Sequence, residues 1–174
     1  GFTEEVVAGD AWTLGAPSAA DLNGDGLLEV IVPSPPLSIS ASGGEVVVQP
    51  YSEALLGPSP RLLPINLGLD AIPDFYFIAN GIEPGPQTRD SILWGSKDGL
   101  EKDTEALTEE PASHRGTDGV LFDWDADGDQ DIYIVNDFSD GNVLWRNDGG
   151  GVLTDVTDDC DCGIKMSAMG VSAA

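Results

Sequence analysis

Nine residues, Asp123-Trp-Asp-Ala-Asp-Gly-Asp-Gln-Asp131, carry five carboxylates and run straight into the apolar stretch Ile132-Tyr-Ile-Val135. Carboxylates this close repel one another unless a cation sits among them, and an all-oxygen donor set suits a hard divalent ion. Side-chain oxygens at positions 1, 3, 5 and 9 can converge on one point, with a backbone carbonyl added from position 7. Gly128 at position 6 permits the sharp turn this requires. The chemistry expected is calcium binding by Asp123, Asp125, Asp127, Asp129 and Asp131. Magnesium fits less well, because it prefers water-rich, strictly octahedral sites.

The pattern recurs. Asp21-Leu-Asn-Gly-Asp-Gly-Leu-Leu-Glu29 leads into Val30-Ile-Val32 and offers Asp21, Asn23, Asp25, the Leu27 carbonyl and Glu29 in matching positions. A degenerate copy, Asn66-Leu-Gly-Leu-Asp-Ala-Ile-Pro-Asp74, leads into Phe75-Tyr-Phe-Ile78. It keeps Asp70 and Asp74 but has Gly68 at position 3 and Ala71 at position 6. Ordinary turn hydrogen bonds suffice for Asn66, Asp70 and Asp74. Two calcium sites are therefore expected, with the third set the weaker candidate. An EF-hand is excluded, because position 12 holds Val32 and Ile134 where that motif needs an acid, and β-branched residues follow both loops.

These loops need strands to hold them. The loops start at 21, 66 and 123, so the repeat spacings are 45 and 57 residues. A short strand is expected before each loop (Ala16–Ala20, Leu62–Ile65, Val120–Phe122) and another directly after it. A further strand in each copy is read at Glu45–Gln49, Ser91–Gly95 and Asn142–Arg146, placing Trp94 and Trp145 as equivalent packing residues. Glycine-rich hairpins at 96–99 and 147–151 follow, then a strand at Val152–Val156 and a less definite one in 100–107. The remainder of 33–60, rich in proline and serine, reads as extended loops with serines open to O-linked sugar. Four strands per unit of about 50 residues is the arithmetic of a propeller blade. The expected class is all-β: about three four-stranded blades, open or incomplete and not a closed ring. Residues 10–61, 62–118 and 119–165 form the units, 1–9 the end of a preceding one and 166–174 the start of a next. The last assignment rests on Gly170-Val-Ser-Ala-Ala174, which matches Ala16-Pro-Ser-Ala-Ala20.

Composition narrows the partners. Acidic residues number 31 against 7 basic, a formal net charge of −24, which disfavours nucleic acid and anionic membrane surfaces. Hydrophobic residues at 41% separate the chain from acidic disordered tails, and no apolar run is long enough to insert in a membrane. Cys160 and Cys162 flank one aspartate; they can close a small disulfide, bond between chains or stay reduced. His114, the single histidine, has no nearby nucleophile and reads as a surface residue, and Asp158-Asp159-Asp161 as a solvated patch. Most clustered acids are absorbed by the loops, so no acid/base pair for catalysis stands out.

The stretch Ala-Ala-Asp-Leu-Asn-Gly-Asp-Gly-Leu-Leu-Glu-Val-Ile-Val from Ala19 to Val32 resembles the FG-GAP/VCBS repeats of integrin α-subunit propellers and many bacterial secreted proteins. Asn142-Val-Leu-Trp-Arg-Asn-Asp-Gly-Gly-Gly-Val-Leu-Thr-Asp-Val-Thr157, with Gly163-Ile and Met169-Gly-Val, is similar to the subgroup related to cartilage acidic protein. The resemblance spans nearly the whole chain, strongly in the first and third units. It implies a β-propeller whose inter-strand loops hold calcium, serving extracellular adhesion or recognition without catalysis. Three units are fewer than the usual four to eight blades. The expected partners are therefore other copies of the chain, joined head to tail into a filament through 1–9 and 166–174, or the remainder of a longer chain. A protein or glycan ligand, or membership of a larger propeller enzyme, is the alternative.

Overall fold

The computed structural model describes residues 16–33, 36–42, 45–50, 61–68, 70–79, 89–96, 99–107, 115–137 and 141–173. Among them there is no helix, and three four-stranded antiparallel sheets account for every strand. The first contains β1 (Ser18–Ala20), β2 (Glu29–Pro33), β3 (Pro36–Ser42) and β4 (Glu45–Pro50). The second contains β5 (Arg61–Ile65), β6 (Asp74–Ile78), β7 (Ser91–Ser96) and β8 (Gly99–Asp103). The third contains β9 (Gly116–Phe122), β10 (Asp131–Asn136), β11 (Val143–Asn147) and β12 (Leu153–Asp155). In each sheet the strands lie side by side in chain order, and none closes into a barrel. This is a blade-like, open repeat architecture.

The acidic loops take one place in all three sheets. They close across the paired residues Ala20 and Glu29, Ile65 and Asp74, and Phe122 and Asp131. Position 9 of each motif is thus the first residue of its sheet's second strand. The degenerate loop keeps the length of the others although Asn66 and Gly68 stand at its positions 1 and 3.

Alternation along the strands builds two seams. Phe75 and Phe77 of β6 pack with Ala20, Ile31, Leu62 and Leu93 between the first and second sheets. Tyr76 and Ile78, pointing the other way, pack with Leu63, Ile65, Ile132, Ile134 and Trp145 between the second and third. β6 is buried at every position, because the second sheet is covered on both faces. That is why Phe75-Tyr-Phe-Ile78 has no polar alternation.

The first strands of successive sheets approach one another closely. Ala16 bridges to Arg61 in parallel, the Ser18 hydroxyl donates to the Leu62 carbonyl, and Arg61 pairs with Asp118 of β9. Beyond β9 the tail continues the series: Val171 N–H donates to Asp118 Oδ2 at 3.3 Å, and Thr117 Oγ1 donates to the Ala168 carbonyl at 2.6 Å. Ala16, Arg61 and Asp118 all stand five positions before a loop start. A side chain at Gly119 would have to push its neighbours aside. A Cβ on Gly119 would lie 2.7 Å from Ile134 Cδ1 and 2.8 Å from Leu63 Cδ1.

Two expectations need correction. Pro36–Ser42, read as part of an extended loop, is strand β3. The prolines of that hairpin form its terminal pair, Pro33 with Pro36, where a missing N–H interrupts nothing, and Ser38-Ile-Ser40 carries the ladder. Glu45–Gln49 consequently lies in the fourth strand of its sheet and is not the counterpart of Ser91–Gly95 and Asn142–Arg146, which lie in or beside third strands. The strand in 100–107 is β8, ending at Asp103. β5 and β9 begin at Arg61 and Gly116, slightly ahead of the expected unit starts at 62 and 119. Residues 1–9, Trp12 and His114 lie outside the described residues.

Replacing Gly119 by valine is expected to overpack the contact of β9 with β5. Urea denaturation should show a loss of roughly 1–3 kcal/mol.

Candidate metal centre

The third loop is assembled from its own backbone. Asp123 Oδ2 accepts the Gly128 N–H at 3.2 Å, Asp125 Oδ1 the Asp127 N–H at 3.2 Å, and Asp127 Oδ1 the Asp129 N–H at 2.8 Å. Such side-chain-to-backbone bonds two residues on are the ordinary turn chemistry of aspartate. They wind the loop so that Ala126 and Gly128 adopt left-handed backbone angles, φ 64° and 101°. Asp131 differs from the rest, being fully buried. Its Oδ2 accepts the Trp124 N–H at 2.6 Å and its Oδ1 the Asn147 N–H of β11 at 2.8 Å.

The outcome is a carboxylate trio. One oxygen each from Asp123, Asp125 and Asp131 lie within 4.8 Å of one another. Oxygens bound to a single calcium at about 2.3–2.6 Å cannot be much more than about 5 Å apart. These three residues can hold a metal ion. Asp127 and Asp129 stand beside the trio, outside it.

The first loop repeats the winding. Asp21 accepts from Gly24 N at 2.8 Å and Asp25 N at 3.1 Å through Oδ1, and from Gly26 N at 2.8 Å through Oδ2. Asn23 Oδ1 accepts from Asp25 N at 2.9 Å, and Asp25 Oδ1 from Leu27 N at 2.8 Å. Gly24 and Gly26 hold the left-handed positions, φ 74° and 85°, that Ala126 and Gly128 hold in the third loop. Buried Glu29 accepts the Leu22 N–H at 2.8 Å. The second loop closes without a carboxylate cluster. Asn66 Nδ2 donates to the Asp70 carbonyl at 2.6 Å, and Asp70 Oδ1 accepts from Ile72 N at 2.8 Å. Asp74 Oδ2 accepts from Leu67 N at 2.9 Å and Gly68 N at 3.0 Å, and its Oδ1 from Gly95 N at 2.8 Å.

One role escaped sequence reasoning. The acid at position 9 staples the loop's second residue to the start of the following strand in every sheet, and in two sheets it also reaches the end of the third strand. The signal was present: Asp74 persists where positions 3 and 6 have degenerated.

The surroundings are polar and exposed. Arg146 on β11 donates through Nε to Asp148 Oδ1 at 2.7 Å, which holds the Asp148 carboxyl below its ordinary range. That bond raises Arg146 in turn, with smaller contributions from Asp148, Asp125 and Asp159 as charges. Trp145 is buried in the second seam, with Trp94 packed against it. Trp124, next to the trio, remains 38% exposed. Cys160 and Cys162 are joined in a disulfide, and the Tyr133 hydroxyl donates to the Cys162 carbonyl at 2.9 Å. Asp158, Asp159 and Asp161 lie exposed in the turn that contains it.

No protein-family model and no curated protein matches this chain.

Two outcomes separate ligand from staple. Asp125→Ala should leave metal-free stability nearly unchanged and abolish any stabilisation by added metal. Asp131→Ala should cost roughly 1–3 kcal/mol even in chelator, because two backbone N–H groups lose their acceptor; equal losses for both variants in chelator would refute the distinction. Ala126→Gly should stabilise the metal-free chain by up to about 1 kcal/mol by relieving a left-handed alanine, read from the midpoint of chemical unfolding.

Proposed function

We propose that this chain is a non-enzymatic, extracellular calcium-binding repeat protein of the FG-GAP/VCBS type, with a structural or adhesive role. The observation that carries the reading is the Asp123, Asp125 and Asp131 trio, set at the mouth of a blade strand in a loop whose winding the first sheet repeats. An all-oxygen, carboxylate-rich pocket on an exposed loop favours calcium over magnesium. Asp21, Asn23, Asp25, the Leu27 carbonyl and Glu29 form the second site; Asp127 and the Asp129 carbonyl complete the first. The hydrogen bonds of Asn66, Asp70 and Asp74 leave the middle loop needing no ion.

Calcium in this role pins strand to strand. The unfolded chain has no preformed site, so binding free energy becomes folding free energy. The contact of the tail with Asp118, at the offset the first strands use among themselves, supports continuation of the array through 166–174. The continuation is a further copy or a further part of a longer chain. A second reading, recognition of a protein or glycan, is favoured by Trp124 exposed beside the trio and by Leu27 and Leu28 exposed on the first loop.

Calcium titration of the chelated protein should raise its melting temperature, by about 2.7 kcal/mol of stability per site once free calcium is ~100-fold above the dissociation constant. An identical melting curve in EDTA and in millimolar calcium would remove the metal reading. Light scattering and electron microscopy of the same samples test the assembly: particles larger than one chain that dissociate in EDTA support it, and a monomer under both conditions excludes it.

A further inference from the structure

The first loop contains a reactive dipeptide. Asn23-Gly24 is exposed between β1 and β2. Of the described asparagines, Asn23 alone precedes a glycine; Asn66, Asn136, Asn142 and Asn147 are followed by leucine, aspartate, valine and aspartate. An asparagine before glycine can cyclise, because no Cβ on the next residue obstructs its backbone nitrogen. Gly24 is there for the turn, at φ 74°, and nothing lies within 4 Å of where its Cβ would be. The third loop has Asp125 and Ala126 at the same positions, with no amide to lose.

We propose that Asn23 is a deamidation site guarded by Asp21: the closed loop withholds the reacting atoms, and each opening exposes Asn23 to irreversible conversion into an acid.

The reaction needs only water. The Gly24 nitrogen gives up its proton and attacks Asn23 Cγ; a C–N bond forms, and the carboxamide nitrogen leaves with that proton as ammonia. Water then opens the succinimide at either carbonyl. Attack at Cγ gives aspartate, and attack at the backbone carbonyl gives isoaspartate.

In the closed loop both reacting groups are engaged. The Gly24 N–H donates to Asp21 Oδ1 at 2.8 Å, and Asn23 Oδ1 accepts from Asp25 N at 2.9 Å. Asp21 also accepts from Asp25 N at 3.1 Å and from Gly26 N at 2.8 Å, so one carboxylate holds three successive N–H groups. A carboxylate at hydrogen-bond distance opposes loss of the Gly24 proton, since the amide anion would face a like charge. The bond to Asp25 ties the Asn23 carboxamide into a turn instead of leaving it free to approach the Gly24 nitrogen. Local opening of the loop removes both restraints together. Position sets the consequence. Aspartate at 23 gives the first loop carboxylates at positions 1, 3 and 5, as Asp123, Asp125 and Asp127 are in the third. Isoaspartate routes the backbone through an extra methylene and breaks the turn.

The test incubates the full chain in EDTA at mildly alkaline pH and follows residues 23 and 80 by peptide mass spectrometry. Asn80, which also precedes a glycine, is the internal reference. The native chain should convert Asn23 more slowly than the urea-unfolded chain, by the same factor that protects the Gly24 N–H from hydrogen exchange, because both reactions pass through loop opening. Asp21→Ala should speed Asn23 roughly tenfold, the weight of a hydrogen bond to a charged acceptor, and leave Asn80 unchanged. Equal rates in the native and unfolded wild type overturn the proposal, as does a protected Gly24 N–H beside an unslowed Asn23. A folded Asp21→Ala chain that converts Asn23 no faster overturns it equally. Acceleration of both asparagines in Asp21→Ala reports unfolding of the variant, and the wild-type comparison then decides by itself.

Discussion

A carboxylate at the first residue of each second strand is the constraint on which the loops and sheets depend. Glu29, Asp74 and Asp131 are all buried, whereas most other described acids are at least partly exposed. Burying a carboxylate is costly unless its oxygens are bonded, and here the backbone supplies the donors. Leu22, Leu67 and Trp124 give their N–H groups from the second loop position, and Gly95 and Asn147 give theirs from the third strands. One side chain therefore fixes the entry of the loop, its exit and the neighbouring strand. The remaining acids of the loop can then be placed close together, as the trio requires, because the staple does not depend on them.

The middle sheet shows what this arrangement allows. Its loop has Asn66 and Gly68 at positions 1 and 3, where the third loop has aspartates, and yet it keeps length, register and staple. Packing supplies the rest. Both faces of β6 are covered, with Phe75 and Phe77 in one seam and Tyr76 and Ile78 in the other. A sheet clasped by two neighbours is held by packing on both of its faces. The acids that remain at Asp70 and Asp74 serve the backbone alone.

Charge is distributed accordingly. The exposed loops and the turn around the disulfide carry much of the excess of 31 acids over 7 bases. Among the described residues, Asp118 pairs with Arg61 and Asp148 with Arg146. Among the described residues, the buried acids Glu29, Asp74, Asp90 and Asp131 are all met by N–H or hydroxyl donors. Asp90 is the member of this inner set outside the loops, accepting from the Ala79 N–H and from the Tyr76 hydroxyl that the Trp145 indole meets across the seam.

Read from the residues alone, the loops were legible because their chemistry is local. Asp, Asn and Gly at fixed spacing dictate turns and converging oxygens over nine residues, and β-branched residues after them dictate strands. The repeat placed three such units in order, and the all-β class followed. What local pattern could not show was pairing. Ser38-Ile-Ser40 between prolines has no strand signal of its own, and it becomes β3 because β2 and β4 lie on either side of it to share hydrogen bonds. The equivalence assigned to Glu45–Gln49 failed for the same reason, since strand order is a property of neighbours in space. The second function of Asp131, the contact of Gly119 with Leu63, and the bridge from Trp145 through Tyr76 to Asp90 all join residues far apart in the chain. Spacing determines what a loop can bind, but burial is decided only when sheets close over one another, and burial is what turns an aspartate into a staple.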